Sequence, residues 1–362
     1  MEFNKKQKEI IYATEPKILC LAAAASGKTR VLTERIRTLL EEKHINPKDI
    51  VAITFTNLAA EEMRRRLGES ANGMFIGTLH SYAGKICSLN GINVQPYLDK
   101  EQFDKVIARA ILIPKNKYPK IKYLLIDECQ DFNQDNYNFC SRCLAENVFY
   151  VGDDRQMIYG FRGASLDALK SIYNDPTYKK YYLTDNYRNT PEIIDFAEQF
   201  IWSRQALSSK SIPTKACGEE VNECSFFNAV NDLIDEGNWK KWTVLCRTNA
   251  QVEAVVNYLQ EKEIPCISFK KGGLDVEELN ALLDSDRVKV LTVHTMKGSE
   301  EDNVIAVGCK GYNDEERRIC YVAATRAKER LYWCPAFKNN GKMTKSKKDY
   351  FRKQVFEKVI EF

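Results

Sequence analysis

Gly27-Lys28-Thr29 closes a run of small residues, Ala22 to Ser26, that follows the apolar stretch Ile18–Leu21 and precedes a helical pattern. A turn of this kind points backbone N–H groups inward and sets a helix N-terminus behind them, which is what phosphate charge requires. Lys28 is placed to reach β- and γ-phosphates, and the Thr29 hydroxyl to ligate Mg²⁺. The strict phosphate-loop spacing asks for a first glycine where Ala22 stands. A small-residue turn packed against a neighbour would give the same local string. About 100 residues on, Leu124-Leu125-Ile126-Asp127-Glu128 puts two carboxylates at the end of an apolar strand. Ligands of open α/β sheets sit at that edge. Asp127 suits a metal ligand and Glu128 a general base that polarises water. A third apolar strand runs into Asp153-Asp154-Arg155-Gln156, followed by Tyr159, Phe161 and Arg162. Aromatic rings beside an arginine suit stacking on the bases of a single strand, with ordinary packing as the alternative. Together these groups point to hydrolysis of a nucleoside triphosphate beside a nucleic acid.

The elements that must position these groups are legible as short apolar runs alternating with helical patterns. Strands are expected at Ile18–Ala22, Ile50–Phe55, Met74–Gly77, Tyr123–Asp127 and Val148–Gly152. A second series is expected at Tyr181–Leu183, Thr243–Cys246, Cys266–Phe269, Val288–Val293, Val304–Val307 and Leu331–Cys334. Helices are expected at Lys28–Glu42, Leu58–Leu67, Pro191–Ile201, Val252–Glu261 and Glu315–Lys328. Strands this apolar are buried on both faces, as in parallel sheets covered by helices, so the class is α/β. The break near residues 180–190 divides the chain into 1–183 and 184–362. Prolines in 91–120 mark a small insertion, and the mostly polar 203–240 reads as a small insertion or a surface excursion.

Composition sets outer limits. The 362 residues are 44% apolar and 29% charged, the balance of a folded chain of two or three domains. The longest apolar run, about eight residues from Ile18, is far short of the roughly 20 that span a membrane. The polar N-terminus carries no secretory pattern, so a cytoplasmic address and no membrane partner are expected. The net charge of +4 neither requires nor excludes nucleic acid. Lys338 to Lys353 is strongly basic and reads as a solvated segment, with phosphate contact as the alternative. Twelve cysteines are scattered, and only Cys140 and Cys143 have C-x-x-C spacing. No second pair completes a four-ligand metal site, so reduced, mostly buried thiols are expected.

Taken in order, ten strings resemble the motifs of the UvrD/PcrA/Rep family of superfamily-1 helicases. Phe3-Asn4-Lys5-Lys6-Gln7 is similar to the adenine-reading Q motif, and Ala22–Thr29 to the phosphate loop AGAGSGKT. Thr54–Ala60 resembles motif Ia, Gly77–Ser81 motif Ib, Asp127–Asp131 motif II and Gly152–Ala164 motif III. Asn186–Thr190 resembles motif IV, Val244–Gln251 the LYRSNAQ strand, Thr292–Glu300 motif V and Tyr321–Ala327 motif VI.

The resemblance implies two RecA-like parallel-sheet motor domains with the ATP site in the cleft between them. It also implies ATP with Mg²⁺ as cofactors. Lys28, Asp127, Glu128 and Gln156 become catalytic, with Arg188 and Arg326 as arginine fingers. Gln7, Ala24, Ala25, Ser26, Gly27, Lys28 and Thr29 would bind the nucleotide. Arg30 and Tyr187 would sandwich the adenine, and Glu300 would touch the ribose. Thr29 and Asp127 would hold the metal. Phe55, Thr78, His80, Tyr159, Phe161, Arg247 and His294 would line a single-strand groove. The implied activity is a 3′-to-5′ translocase or helicase on single-stranded DNA or a 3′-tailed duplex. The alternative is an ATP-switched DNA-binding subunit of a nuclease or anti-phage defence complex with little independent unwinding; a nuclease or a replication, repair or defence protein is the implied partner. Two departures stand out. Ala23 and Ala25 replace family glycines, and an alanine at positive φ costs roughly 1 kcal/mol. About 41 residues separate Ser81 from Tyr123 and about 36 separate Gln251 from Val288, where the family carries large insertions.

Overall fold

In a computed structural model, the residues described are 2–201, 206–269, 281–282 and 284–335. The basic segment Lys338–Lys353 lies outside them. The described residues form two compact units, the first holding residues up to 184 with 206–210, the second residues from 185 onward apart from that short excursion.

The first unit is a six-stranded sheet. Its strands are β1 (Lys17–Ala22), β2 (Ile50–Thr54), β3 (Phe75–Thr78), β4 (Lys120–Ile126), β5 (Leu144–Gly152) and β6 (Lys179–Leu183). The order is β3-β2-β4-β5-β1-β6, and every pair is parallel. Successive strand residues point to opposite faces, and both faces are covered. Leu19, Leu21, Ile53, Leu124 and Ile126 pack with Tyr82, Ile86, Val106 and Phe139 on one side. Ile18, Cys20, Ala52, Leu125 and Val151 pack with Ile10, Val31, Leu32, Ile36 and Met63 on the other. The register decides what meets at the carboxyl edge. Leu21 pairs with Gly152, and Ile126 pairs with both Ile53 and Tyr150. The loops after β1, β4 and β5 therefore leave the sheet side by side, although the first lies 100 or more residues before the other two in sequence.

The second unit opens with two two-residue strands paired to each other, β7 (Asp185–Asn186) and β8 (Ile212–Pro213). Its six-stranded parallel sheet comprises β9 (Asn222–Glu223), β10 (Trp242–Cys246), β11 (Cys266–Ile267), β12 (Val288–Thr292), β13 (Glu301–Val307) and β14 (Ala327–Cys334). The order is β11-β12-β10-β13-β14-β9. Helices Phe226–Glu236 and Asn249–Glu261 bury Phe226, Val230, Leu233, Val255 and Leu259 against Val244, Val290 and Ile305.

Three expectations are corrected. The run Tyr181–Leu183 pairs with β1 and belongs to the first sheet, because Cys20 and Leu21 offer it a fully apolar neighbour. The stretch 203–240 is not merely a surface excursion, since an eleven-residue helix lies within it. Its apolar positions 226, 229, 230 and 233 have helical spacing, Ser225 caps it through Asn228 N–H, and Gly237 ends it in the left-handed region. The helix expected to reach Lys328 stops at Ala324. There the Thr325 hydroxyl donates to the Tyr321 and Val322 carbonyls, and Ala327 begins β14. Among the described residues no helix is long and apolar enough to cross a membrane.

Candidate functional site

The loop after β1 turns by means of two left-handed residues, Ala25 at φ 58° and Gly27 at φ 83°. A β-carbon at Gly27 would also come within 3.1 Å of Gln7 Nε2. Ala25 has no such exemption and carries the strain anticipated for it, roughly 1–2 kcal/mol. Ala23 is not among the positive-φ residues. The loop is tied back by the Ser26 hydroxyl to the Ala23 carbonyl at 2.7 Å and by Ala23 N–H to the Leu183 carbonyl at 2.8 Å. Helix Lys28–Arg37 begins directly behind it.

Gln7 is buried, and both ends of its amide are engaged. Nε2 donates to the Ser26 carbonyl at 3.1 Å and Oε1 accepts Asn4 N–H at 3.0 Å. The expected adenine reader thus fastens the N-terminal helix Lys5–Tyr12 to the phosphate loop. Arg35 adds to that fastening by donating to the Ile10 and Ile11 carbonyls at 2.8 and 3.0 Å. Arg30, expected against adenine, lies over the Phe3 ring at 4.1 Å. The Phe3 ring is thus a partner that the motif Phe3–Gln7 does not announce.

At the end of β4, Asp127 is held by its N–H to the Ile53 carbonyl at 2.8 Å. Its Oδ1 accepts Glu128 N–H at 2.9 Å and its Oδ2 accepts the Thr29 hydroxyl at 3.2 Å. Burial and the neighbouring Glu128 carboxylate push Asp127 up to about 7, against the pull of Lys28. A hydroxyl and a buried carboxylate this close are hard oxygen donors that fit Mg²⁺, which keeps waters and takes few protein ligands. Glu128 sits at φ 51°, a conformation that costs a non-glycine residue energy and occurs often at active sites.

From Glu128 a polar chain runs to the end of β5. Gln130 Nε2 donates to Glu128 Oε2, and Gln130 Oε1 accepts Asp153 N–H at 2.9 Å. Asp153 Oδ2 accepts Gln156 Nε2 at 2.7 Å. Asp153 is fully buried, which pushes its carboxyl up to about 6, with Lys28 again pulling it down. The Lys28 charge therefore acts on both carboxylates. A β-carbon at Gly152 would stand 2.5 Å from Gln130 Oε1 and 2.7 Å from Cys129 Sγ, so only glycine fits there. Sequence reading assigned no role to Gln130 or Asp153, although both lie inside the quoted motifs.

The candidate nucleic-acid groups of this unit separate into kinds. Phe55 and Tyr159 stack at 4.9 Å with an interplanar angle of 27°, and Tyr159 is 7% exposed. Phe161, 6.0 Å from Tyr159, is 65% exposed. Thr78 caps helix Leu79–Leu89 by accepting Ser81 N–H. His80 faces Phe103 at 5.7 Å and the Asp104 carboxylate at 3.9 Å. Phe103 begins the longer of two helices in the small insertion, Gln95–Leu98 and Phe103–Leu112.

In the second unit, Arg188, Glu300 and Arg326 lie around the turn that precedes β14. Arg188 forms an ion pair with Glu300 and donates to the Thr325 carbonyl at 3.3 Å. Glu300, expected at a ribose, thus meets a candidate arginine finger. Arg326 is 2% exposed and donates to the Val322 and Ser299 carbonyls at 3.0 and 3.1 Å. Tyr187 lies half-buried beside Asn186, whose Oδ1 accepts Arg188 N–H at 2.9 Å. Arg247, expected on nucleic acid, grips Glu316 with Nε and a terminal nitrogen, at 2.8 and 2.5 Å. His294 sits in the short helix Val293–Met296 capped by Thr292.

Residues 3–117 and 111–177 match the model of the UvrD/REP helicase N-terminal domain. Residues 181–274 and 287–334 match two models of the UvrD-like helicase C-terminal domain. DNA helicase II of Escherichia coli (strain K12) is 25% identical over an alignment covering 86% of this chain and 57% of that protein. ATP-dependent DNA helicase PcrA of Staphylococcus epidermidis is 28% identical over 79% of this chain and 53% of that protein. A probable DNA helicase of Mycoplasma pneumoniae is 24% identical over 91% of this chain and 82% of that protein. The chain spans just over half the length of the first two relatives.

Proposed function

Because the chain belongs to the UvrD/REP helicase family, we propose that it is an ATP-driven motor on single-stranded DNA, moving 3′ to 5′. The observation that carries this reading is the polar chain from Glu128 through Gln130 and Asp153 to Gln156, five residues before the exposed Phe161. It joins the group that would activate water to the segment that would meet bases. The relatives are named as DNA helicases, and PcrA as ATP-dependent.

In this reading Lys28 and the N–H groups of residues 24–29 cradle the phosphates, and Glu128 takes a proton from the attacking water. Thr29 and Asp127 would hold Mg²⁺, which supplies charge neutralisation on the phosphate oxygens when bound. Gln156 answers the loss of the γ-phosphate and shifts the segment bearing Tyr159 and Phe161. Arg188 and Arg326 are assigned to the developing phosphate charge, a role that can be worth 10³–10⁵ in rate. Arg30, with Phe3 behind it, and Tyr187 are assigned to the base. Strand separation is proposed for a 3′-tailed duplex.

The direction is tested by end-labelled oligonucleotides with a fluorophore at the 5′ or the 3′ terminus. Arrival times that lengthen with strand length only for the 5′ label support 3′-to-5′ movement. The same dependence for the 3′ label overturns it.

A further inference from the structure

Cys224 and Cys334 take no part in the chemistry above. Cys224 follows the edge strand β9, and Cys334 ends β14. The ladder pairs Tyr332 with Asn222 and Trp333 with Glu223, so the next rung sets Cys334 opposite Cys224. Cys224 N–H donates to the Trp333 carbonyl at 3.1 Å, which holds that rung in place. Neighbouring strands lie about 4.8 Å apart, inside the roughly 4.4–6.8 Å Cα window of a disulfide.

Their environments differ in a useful way. Cys334 is 2% exposed, whereas Cys224 is partly open to solvent. The neighbouring Cys334 thiol draws Cys224 below its ordinary range, while Cys224 and burial hold Cys334 above its own. Thiolate character and access together mark a cysteine that meets an oxidant, and a neutral thiol beside it can resolve the product. By contrast Cys140 and Cys143 are both buried, and burial raises both thiols.

We propose that Cys224 and Cys334 are a thiol-oxidation site that a hydroperoxide converts to a Cys224–Cys334 disulfide. The Cys224 thiolate attacks one peroxide oxygen, so that an S–O bond forms and the O–O bond breaks. The departing oxygen leaves as water after taking a proton. The Cys334 sulfur then displaces the hydroxyl of the Cys224 sulfenic acid, giving up its proton, and the second oxygen leaves as water. Two thiols and one hydrogen peroxide thus become one disulfide and two waters. The sulfurs lose the two electrons that the peroxide gains. The product fastens the edge strand β9 to the sheet and closes a loop that contains strands β10 to β14. Intracellular disulfides of this kind are usually transient and redox-sensing.

The test uses the full chain, reduced and desalted, then exposed to increasing hydrogen peroxide and quenched with N-ethylmaleimide before digestion and mass spectrometry. The expected first cross-linked peptide joins Cys224 to Cys334, with loss of two alkylatable thiols from the twelve. Dithiothreitol restores both, and the oxidised chain melts at a higher temperature than the reduced one. In C334S, Cys224 accumulates as sulfenic acid that dimedone captures. In C224S no cross-link to Cys334 forms. A first cross-link between Cys224 and the exposed Cys217, or Cys224 and Cys334 both still alkylatable once Cys217 is oxidised, overturns the proposal. The wild-type readout stands even if a variant fails to fold, and it is independent of nucleotide or DNA binding.

Discussion

In the first unit the candidate phosphate groups stand at the ends of three adjacent strands, with Ala25, Gly27 and Glu128 all in left-handed conformations. In the second unit the candidate cations are engaged by their own neighbours: Arg188 by Glu300, Arg247 by Glu316, and Arg326 by backbone carbonyls. The first array is pre-organised, with backbone strain held by a buried polar network. The second is charge-compensated, so any ligand that recruits those arginines must replace a partner. Removing one member of a buried ion pair costs about 3–5 kcal/mol. The two units therefore differ in how their candidate groups are held: by a strained backbone and a polar network in the first, by ion pairs and carbonyls in the second.

The sharpest way to break this contrast is to remove charge from the first unit. Lys28→Ala is expected to lower ATP turnover by at least about 10²-fold and to weaken nucleotide binding, since phosphate charge compensation is lost. Glu128→Gln is expected to lower turnover as much while leaving nucleotide bound. Steady-state hydrolysis beside titration with a fluorescent ATP analogue checks both. Near wild-type turnover in Glu128→Gln would remove Glu128 from the mechanism.

Next in size comes the aromatic pair. Tyr159→Ala is expected to lower stability by about 3 kcal/mol, because it deletes a buried ring stacked on Phe55. Phe161→Ala should spare stability and weaken single-strand binding by about 1–3 kcal/mol on all base compositions. Thermal melts and anisotropy titrations on oligo-dT and mixed strands separate the two. Equal loss of stability in both would make Phe161 a packing residue.

In the second unit, Glu316→Ala is expected to cost about 2 kcal/mol, below the figure for a fully buried pair because the Arg247 side chain is 29% exposed. Hydrogen exchange should place the loss in the second unit alone. An equal loss of protection in the first unit would dissolve the contrast. Smallest of all, Ala25→Gly should relieve about 1 kcal/mol of strain and leave ATP affinity equal or tighter. A marked loss of affinity would show that the Ala25 methyl is packed and the loop unstrained.

The parallel α/β class and the carboxylates at a strand's end were legible because fully apolar strands announce a parallel sheet, and its carboxyl edge is where ligands sit; the strand order was not. The resemblance placed Thr29 and Asp127 together, and the structure brings them to 3.2 Å. What sequence could not supply was partner choice. Nothing local in Arg247-Thr248-Asn249 says that the guanidinium turns to Glu316, 69 residues away. Asn4 and Gln7 have the spacing of a capping box, but nothing local says that the Gln7 amide also donates to the Ser26 carbonyl. Helix Phe226–Glu236 was within reach, since its spacing is regular, but its polar surroundings masked it.

ATP hydrolysis by the full chain, measured with and without oligo-dT at saturating Mg²⁺-ATP, tests the central claim most directly. A motor predicts a large stimulation by single strands that Phe161→Ala reduces while the basal rate holds. A rate indifferent to single-stranded DNA would contradict it.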